Sequence, residues 1–162
     1  MLLTGLLPDI TTDPAIETAT DSVEAGRSGT IVAPVGIRPP LLAAVASRAT
    51  TPLVVLTATG RDAESLTNAL ASWIPGVAML PAWETLPHER LSPQVDTMAR
   101  RIAVLRRLVH PIEGDDSAGP ISVLVVPIRA FLQPIISGLA DLEPVRVRTG
   151  DILDLTDVTN RL

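Results

Sequence analysis

Leu53-Val54-Val55-Leu56, a run of aliphatic residues between Pro52 and Gly60, decides the fold class of this chain. A strand that is apolar at every position is typical of a parallel sheet whose two faces are both buried. After Gly60 the spacing of the apolar residues becomes helical, with Ala63, Leu66, Leu70 and Trp73 on one face. The stretch therefore predicts a strand followed by a helix, which is the repeating unit of an α/β fold.

The same alternation continues in both directions along the chain. Further strands are predicted at Thr30–Ala33, Val77–Leu80, Ile121–Val126 and Val145–Arg148. Helices are predicted at Pro14–Ala25, Leu41–Ala49, Arg61–Trp73, from Ser92 (N-cap) and Pro93 onward, and at Ile128–Ile136 with an interruption at Pro134. Strands that alternate with helices predict an α/β domain in which helices cover both faces of a parallel sheet.

The composition excludes several classes of protein. Of the 162 residues 46% are hydrophobic and 2% are aromatic, which is typical of a folded domain with an aliphatic core. The absence of cysteine excludes disulfides and thiolate metal sites, and two histidines argue against a zinc site. The net charge of −5 argues against broad, non-specific binding to nucleic acid.

The start of the chain and its apolar runs bear on location. Met1–Leu7 is apolar but lacks the basic region of a signal peptide, so we interpret it as a short docking helix. No apolar run approaches the ~20 residues that span a bilayer. We therefore expect a cytoplasmic protein with no membrane partner.

The segment Ala33–Pro40 stands where an α/β nucleotide-binding domain carries its phosphate loop. A P-loop has the sequence Gly-x-x-x-x-Gly-Lys-Ser/Thr, in which backbone N–H groups hold phosphate. Here only Gly36 is suitably placed, because Pro39 and Pro40 replace the lysine and the hydroxyl residue and have no N–H to donate. We interpret the segment as a vestigial phosphate loop. The alternative is a nucleotide-binding or hydrolase domain that uses Gly36 and Arg38 in an atypical loop.

The loop Leu80–Pro93 follows a predicted strand, at the position where open α/β sheets usually bind ligands. Its Trp83 is either a contact for a partner or a neighbouring domain, or a half-buried ring that seals the edge of the sheet. No nucleophile accompanies the adjacent pair His88 and Glu89, so we predict no catalytic residue here. The candidate contact residues of this loop are Trp83, Glu84, His88, Glu89 and Arg90.

The helix after Pro93 is predicted to be amphipathic. Its apolar face would contain Met98, Ile102, Leu105 and Val109, with Arg100 and Arg107 on the opposite face. Two interpretations are open for these arginines and for Arg101 and Arg106. They bind DNA phosphates or an acidic partner, or they form the solvated face of the helix. Arg100 and Arg107 are the candidate contact residues.

The loop also carries a family resemblance. Pro81-Ala82-Trp83-Glu84-Thr85-Leu86-Pro87-His88-Glu89-Arg90-Leu91-Ser92-Pro93, followed by Asp96-Thr97, resembles the N-terminal region of the bacterial transcription-repair coupling factors, the Mfd family. Other segments fit the family in the same order, namely Leu53–Arg61, Val123–Pro127 and Leu132–Pro134. The resemblance covers most of the chain, from Thr30 to Gly150.

The resemblance implies a module similar to the damage-recognition protein UvrB, with a degenerate P-loop NTPase (RecA-like) fold. It divides the chain into an N-terminal helical or irregular segment at 1–29, the UvrB-homology domain at 30–143, and the truncated start of a following small domain at 144–162. UvrB inserts a tyrosine-rich hairpin near this loop, whereas this chain has no tyrosine. Direct sensing of DNA damage is therefore not expected.

The resemblance also implies a function in nucleotide excision repair. The parent protein would displace stalled RNA polymerase at DNA damage and recruit UvrA, mainly through the truncated following domain. RNA polymerase, DNA, ATP and magnesium would bind to domains that this chain lacks. We therefore expect a non-enzymatic scaffold without a cofactor or metal, which supports UvrA recruitment and packs against other domains of the parent in an autoinhibitory way.

Overall fold

The computed structural model describes residues 2–84 and 94–143, together with positions 150, 152, 154 and 156. In this part of the chain three parallel strands form one sheet: β1 (Leu53–Thr57), β2 (Val77–Met79) and β3 (Val123–Pro127). β3 lies between the other two, and Val123 is opposite both Leu53 and Val77. The predicted α/β class and parallel sheet are confirmed.

The described residues also form α-helices. They are α1 (Leu7–Thr11), α2 (Pro14–Glu24), α3 (Arg38–Arg48), α4 (Gly60–Leu70), α5 (Val95–Val109) and α6 (Ile128–Phe131). Short 3₁₀ turns lie at Thr4–Leu6, Val35–Ile37 and Leu139–Asp141. None of the helices within the described ranges is long and apolar enough to span a membrane.

The alternation of side chains along β3 builds a core on each face of the sheet. Val123 and Val125 point to one face, where they pack with apolar residues of α1, α3 and α4: Leu7, Ala43, Ala46, Ala63 and Leu70. Leu124 and Val126 point to the other face, where they pack with Val104 of α5 and Ala130 of α6. Helices therefore lie on both faces, as the alternation of strands and helices predicts.

The strand β1 is less buried than its sequence predicts. Its alternate residues Val54 and Leu56 are 51% and 47% exposed, whereas every residue of β3 is buried. β1 pairs only with β3 among the described residues, so it is an edge strand. The apolar run was correctly assigned to a parallel strand, but burial on both faces holds for β3 and not for β1.

The predicted strand at Thr30–Ala33 is wrong. These residues have no regular structure, and the side chain of Val32 is 96% exposed. The segment is followed by Pro34, which has no N–H to donate to a ladder, and it adds no strand to the sheet. The predicted strand Val145–Arg148 and the predicted helix start at Ser92 and Pro93 lie outside the described residues. α5 is helical from Val95, with Gln94 at its N-cap position.

The N-terminal segment is docked onto the rest of the domain, as predicted for Met1–Leu7. The N–H of Leu3 donates to the carbonyl of Ser72 (2.7 Å), and the hydroxyl of Thr4 donates to the carbonyl of Trp73 (2.9 Å). The side chain of Leu7 is buried in the core under α3 and α4. The helix α1 thus belongs to the same hydrophobic core as the sheet, whereas α2 packs through Ala19 on Leu41 and Val45 of α3.

Replacing Leu70 by alanine should lower the free energy of unfolding by about 2–5 kcal/mol, because the change leaves a cavity in the core. The side chain of Leu70 is 0% exposed and packs between α4 and the sheet. Leu132→Ala is the matched control, since Leu132 is 74% exposed. We expect it to change the stability by less than about 0.5 kcal/mol. Urea unfolding followed by circular dichroism measures both, and equal losses would contradict the packing of Leu70.

Candidate docking surface at the carboxyl edge of the sheet

The carboxyl ends of the parallel strands meet at one edge of the sheet. After β1 the chain enters α4 on one face, and after β3 it enters α6 on the other face. In open α/β sheets a crevice at such a divergence is the usual place for a ligand. A cavity of about 360 Å³ lies here, lined by residues that follow each strand, including Thr59, Pro81 and Arg129.

The N-terminus of α4 faces this edge, and the side chain of Thr59 already caps it. The hydroxyl of Thr59 accepts a hydrogen bond from the N–H of Asp62 (3.1 Å) and donates one to its carboxylate (2.8 Å). A carboxylate in the first turn offsets the positive end of the helix dipole. The N-terminus of α4 is therefore a poor place for a phosphate.

The segment Pro81–Glu84, which leaves β2, is held by hydrogen bonds with Arg129 of α6 and with Gln133, two residues beyond the end of α6. The N–H of Trp83 donates to the side-chain oxygen of Gln133 (2.8 Å), and the amide nitrogen of Gln133 donates to the carbonyl of Trp83 (3.4 Å). The guanidinium of Arg129 donates to the carbonyl of Glu84 (3.2 Å). The backbone of this segment is thereby fixed to α6, at the exit of β3.

The side chain of Arg101 holds the same segment from the other side. Its Nη1 donates to the carbonyl of Pro81 (2.6 Å), and its guanidinium carbon lies 4.5 Å from the centre of the Trp83 ring. Arg101 is fully buried, so neither interpretation of it as a solvated or phosphate-binding arginine is correct. Burial lowers the pKa of Arg101 below the usual arginine value.

The buried face of α5 is turned relative to the predicted face. Its buried residues are Thr97, Arg101, Val104 and Leu105, whereas Met98 and Val109 are 39% and 56% exposed. The predicted apolar face excludes every arginine of the helix because arginine is polar, but Arg101 packs inward against Trp83. Leu105 is the buried residue that the predicted and observed faces share.

The remaining arginines of α5 do not form one continuous basic face. Arg100 is exposed and pairs with Asp96 one helical turn before it (2.9 Å). Arg106 donates to the carbonyl of Leu142 (3.3 Å), and Arg107 donates to the carbonyl of Gly119 (2.8 Å). Arg100 is thus exposed to solvent, whereas Arg107 is half-buried and engaged with the loop before β3.

Glu84 links the strand exit to the start of α5. Its carboxylate accepts hydrogen bonds from the hydroxyl of Thr97 and from the N–H of Gln94 (3.4 Å). The hydrogen bond from Thr97 is the main cause that lowers the pKa of Glu84 below its usual value. The carboxylate also faces the positive end of the α5 dipole, which favours its charged form.

Trp83 is half-buried, in agreement with the interpretation of a ring that seals the edge of the sheet. Its role toward a partner stays a prediction. His88, Glu89 and Arg90 lie outside the described residues. Among the residues that are described, no group of three His, Asp or Glu side chains is placed to hold a metal ion.

The segment Ala33–Pro40, interpreted above as a vestigial phosphate loop, lies beside a different cavity. Gly36 and Arg38 border an open groove of about 710 Å³ between α3, α4 and the end of β1. α3 begins at Arg38, so Pro39 and Pro40 stand in its first turn, and no side chain caps it. The prolines lie where a P-loop helix would offer N–H groups to phosphate. The predicted strand before this loop is absent, as described above, so the strand–loop–helix order of a P-loop is incomplete here.

Sequence reasoning missed the residues that hold the segment Pro81–Glu84. Arg101 and Gln133 were not identified as neighbours of Trp83, and Thr97 and Arg129 were not identified as partners of Glu84. These contacts join parts of the chain up to 50 residues apart, so no local pattern reveals them. The sequence did offer one indication for Glu84. It lies a few residues before the predicted helix start at Ser92, and a carboxylate is favourable near the N-terminus of a helix.

The sequence of the chain matches proteins that are named transcription-repair-coupling factor. It is 45% identical over 136 residues to the one from Mycobacterium tuberculosis (strain CDC 1551 / Oshkosh), and equally to the one from Mycobacterium bovis (strain ATCC BAA-935 / AF2122/97). The match covers 82% of this chain. Over this stretch the chain is homologous to transcription-repair-coupling factors. This confirms the family resemblance inferred from Pro81–Pro93.

The chain spans 11% of the length of each mycobacterial coupling factor that it matches. Most of the length of those coupling factors therefore has no counterpart among these 162 residues. No family model matches the chain.

Replacing Glu84 by glutamine should destabilise the domain at neutral pH and much less in acid. The pKa of Glu84 is lowered in the folded state, so its stabilising effect is present above the unfolded-state pKa and is lost as the pH falls through the folded-state pKa. The difference in unfolding midpoint between wild type and Glu84→Gln should therefore shrink as the pH falls. Thermal unfolding between neutral pH and the acid range measures it.

The matched control for this experiment is Glu64→Gln on the exposed side of α4. We expect Glu64→Gln to show the same change in unfolding midpoint with acid pH as the wild type. A difference between wild type and Glu84→Gln that does not vary with pH would contradict the role of the Glu84 charge.

Proposed function

We propose that this chain is the N-terminal, UvrB-like module of a transcription-repair coupling factor and that it is a non-catalytic docking scaffold. The observation that carries the proposal is the 45% identity over 136 residues to the mycobacterial coupling factors. Those proteins are named for coupling transcription to repair. A scaffold of this kind would support nucleotide excision repair in a parent protein that displaces stalled RNA polymerase at damaged DNA.

The proposed fold is a P-loop NTPase (RecA-like) domain that has lost its phosphate site. The parallel sheet with helices on both faces supports this relationship. Pro39 and Pro40 in the first turn of α3 support the loss, because neither can donate an N–H to phosphate. Asp62 at the start of α4 adds a negative charge that would repel one.

The proposed partners follow from the homology and from the carboxyl edge of the sheet. UvrA would bind mainly through the domain that begins at 144–162. The surface around Trp83 and Glu84, together with Arg100, would contact other domains of the parent protein and hold it in an autoinhibited state. The half-buried ring of Trp83, with the guanidinium carbon of Arg101 4.5 Å from its centre, has the character of a residue at the centre of an interface.

A pull-down with purified UvrA tests the proposal. The 162-residue chain should capture little or no UvrA, and a version extended through the following domain should capture it clearly. A fragment that contains the following domain but lacks residues 1–143 is the matched control. It shows how much the scaffold contributes to the capture of UvrA. Failure of the extended protein to capture UvrA would overturn the proposed recruitment role.

A second candidate function is nucleotide binding, which the groove of about 710 Å³ beside Gly36 and Arg38 favours. Calorimetric titration of ATP–Mg²⁺ into the chain distinguishes the two functions. We expect no measurable heat of binding, because the first turn of α3 lacks the N–H donors that phosphate needs. Binding in the micromolar range would favour the second function over the scaffold.

A further inference from the structure

Large apolar side chains are exposed at the end of α6 and in the residues that follow it. Phe131 is 56% exposed, Ile135 is 51% exposed and Ile136 is 76% exposed. We call these three residues the exit patch, because the described chain leaves the domain shortly after them. A group of exposed apolar side chains of this size is typical of a surface that another segment or molecule covers.

The chain leaves the domain beside the exit patch, at a fixed point. The first N–H of the 3₁₀ turn Leu139–Asp141 donates to the carbonyl of Ile136 (3.3 Å). The turn is bound to the end of α5, because Nε2 of His110 lies 2.7 Å from the carboxylate of its last residue. Arg106 of α5 donates to the carbonyl of Leu142, the next residue (3.3 Å). The chain beyond Leu142 therefore starts close to the exit patch.

A helix start lies a short way beyond this exit. The N–H of Thr156 donates to the carboxylate of Asp154 (2.7 Å), and Thr156 is helical. An aspartate that accepts a hydrogen bond from the N–H two residues later is an N-cap. Leu153 before the cap and Val158 four residues after it have the spacing of a hydrophobic staple, which stabilises the first turn of a helix.

The sequence after Asp154 predicts an amphipathic helix with a narrow apolar face. The residues of that face are spaced three and four apart: Leu155, Val158 and Leu162. Ile152, just before the cap, is 102% exposed, so no described part of the domain covers it. The chain thus carries a second apolar surface near its exit from the domain.

Charge and distance both favour contact between these two surfaces. The segment 151–162 carries three aspartates and one arginine. Arg129 precedes the exit patch on α6, and Arg106 lies behind it at the carbonyl of Leu142. A chain of the length of 143–154 can span up to about 40 Å when fully extended. The acidic segment is therefore long enough to return to the patch beside which it departs.

We propose that residues 154–162 dock as a helix on the exit patch, with the apolar face of the helix against it. This contact removes both apolar surfaces from water. The occupant is the chain's own segment, because the exit is fixed beside the patch and the segment has the apolar spacing and the charge to match it. The interface sets the position of the part of the protein that begins at 144–162 relative to the sheet. The inference goes beyond the proposed function and stands whether or not UvrA binds there.

Paramagnetic relaxation in the 162-residue chain tests the proposal. The chain has no cysteine, so Arg161→Cys carries a single nitroxide label on the predicted polar face of the segment. In protein enriched at its isoleucine methyl groups, the label should remove most of the intensity of the Ile135 and Ile136 signals. The signal of Ile74, in the core on the other face of the sheet, should keep its intensity. Unbroadened Ile135 and Ile136 signals would overturn the proposal.

Two variants of the labelled chain, each with one added negative charge, make the test specific. Val158→Asp places the charge on the apolar face of the segment and should restore the Ile135 and Ile136 intensities. Asn160→Asp places it on the polar face and should leave both signals broadened. Broadening that survives Val158→Asp would contradict contact through the apolar face.

A mixed sample identifies the occupant of the patch. Spin-labelled chain without isotopes is mixed with isotope-enriched chain that has no label. We expect the Ile135 and Ile136 intensities to be unchanged in the mixture and lost only in the chain that carries both labels. Broadening in the mixture would show that a second copy covers the patch, which would overturn docking within one chain.

Discussion

The structure depends on the burial of β3 on both of its faces. Each residue of this strand is buried, and its side chains supply the centre of the core on either side of the sheet. Without β3, β1 and β2 would not be joined, because each pairs with β3 and not with the other. The helices α3 and α4 on one face, and α5 and α6 on the other, are held by side chains that alternate along the same five residues.

The position of β3 also brings together the groups at the carboxyl edge. Because β3 is central, α6 begins beside the end of β2, and Gln133 and Arg129 reach the backbone of Trp83 and Glu84. α5 runs between β2 and β3 in sequence and places Arg101 beneath the same segment. The docking surface is thus fixed by the order of the strands, although these residues come from three separate parts of the chain.

Much of this architecture was predictable from the sequence, and the failures have physical causes. The aliphatic runs at Leu53–Leu56 and Val123–Val126 correctly indicate parallel strands, because their apolar pattern is local. The order β1-β3-β2 was not predictable, since it depends on which face each connecting helix covers. The inward position of Arg101 was missed because its partners lie 20 residues away at Pro81 and nearby at Trp83. The strand expected at Thr30–Ala33 failed because an apolar run is a strand only when a neighbour pairs with it.

The exposed edge of β1 has a consequence for the behaviour of the protein in solution. Val54 and Leu56 present aliphatic side chains beside a row of backbone groups that no described strand pairs. Such an edge is a template for pairing between molecules, and it is the feature by which a small sheet protein aggregates as concentration rises. Pro52 before the strand and the net charge of −5 oppose this association. We therefore expect the isolated chain to become less soluble as salt screens its net charge.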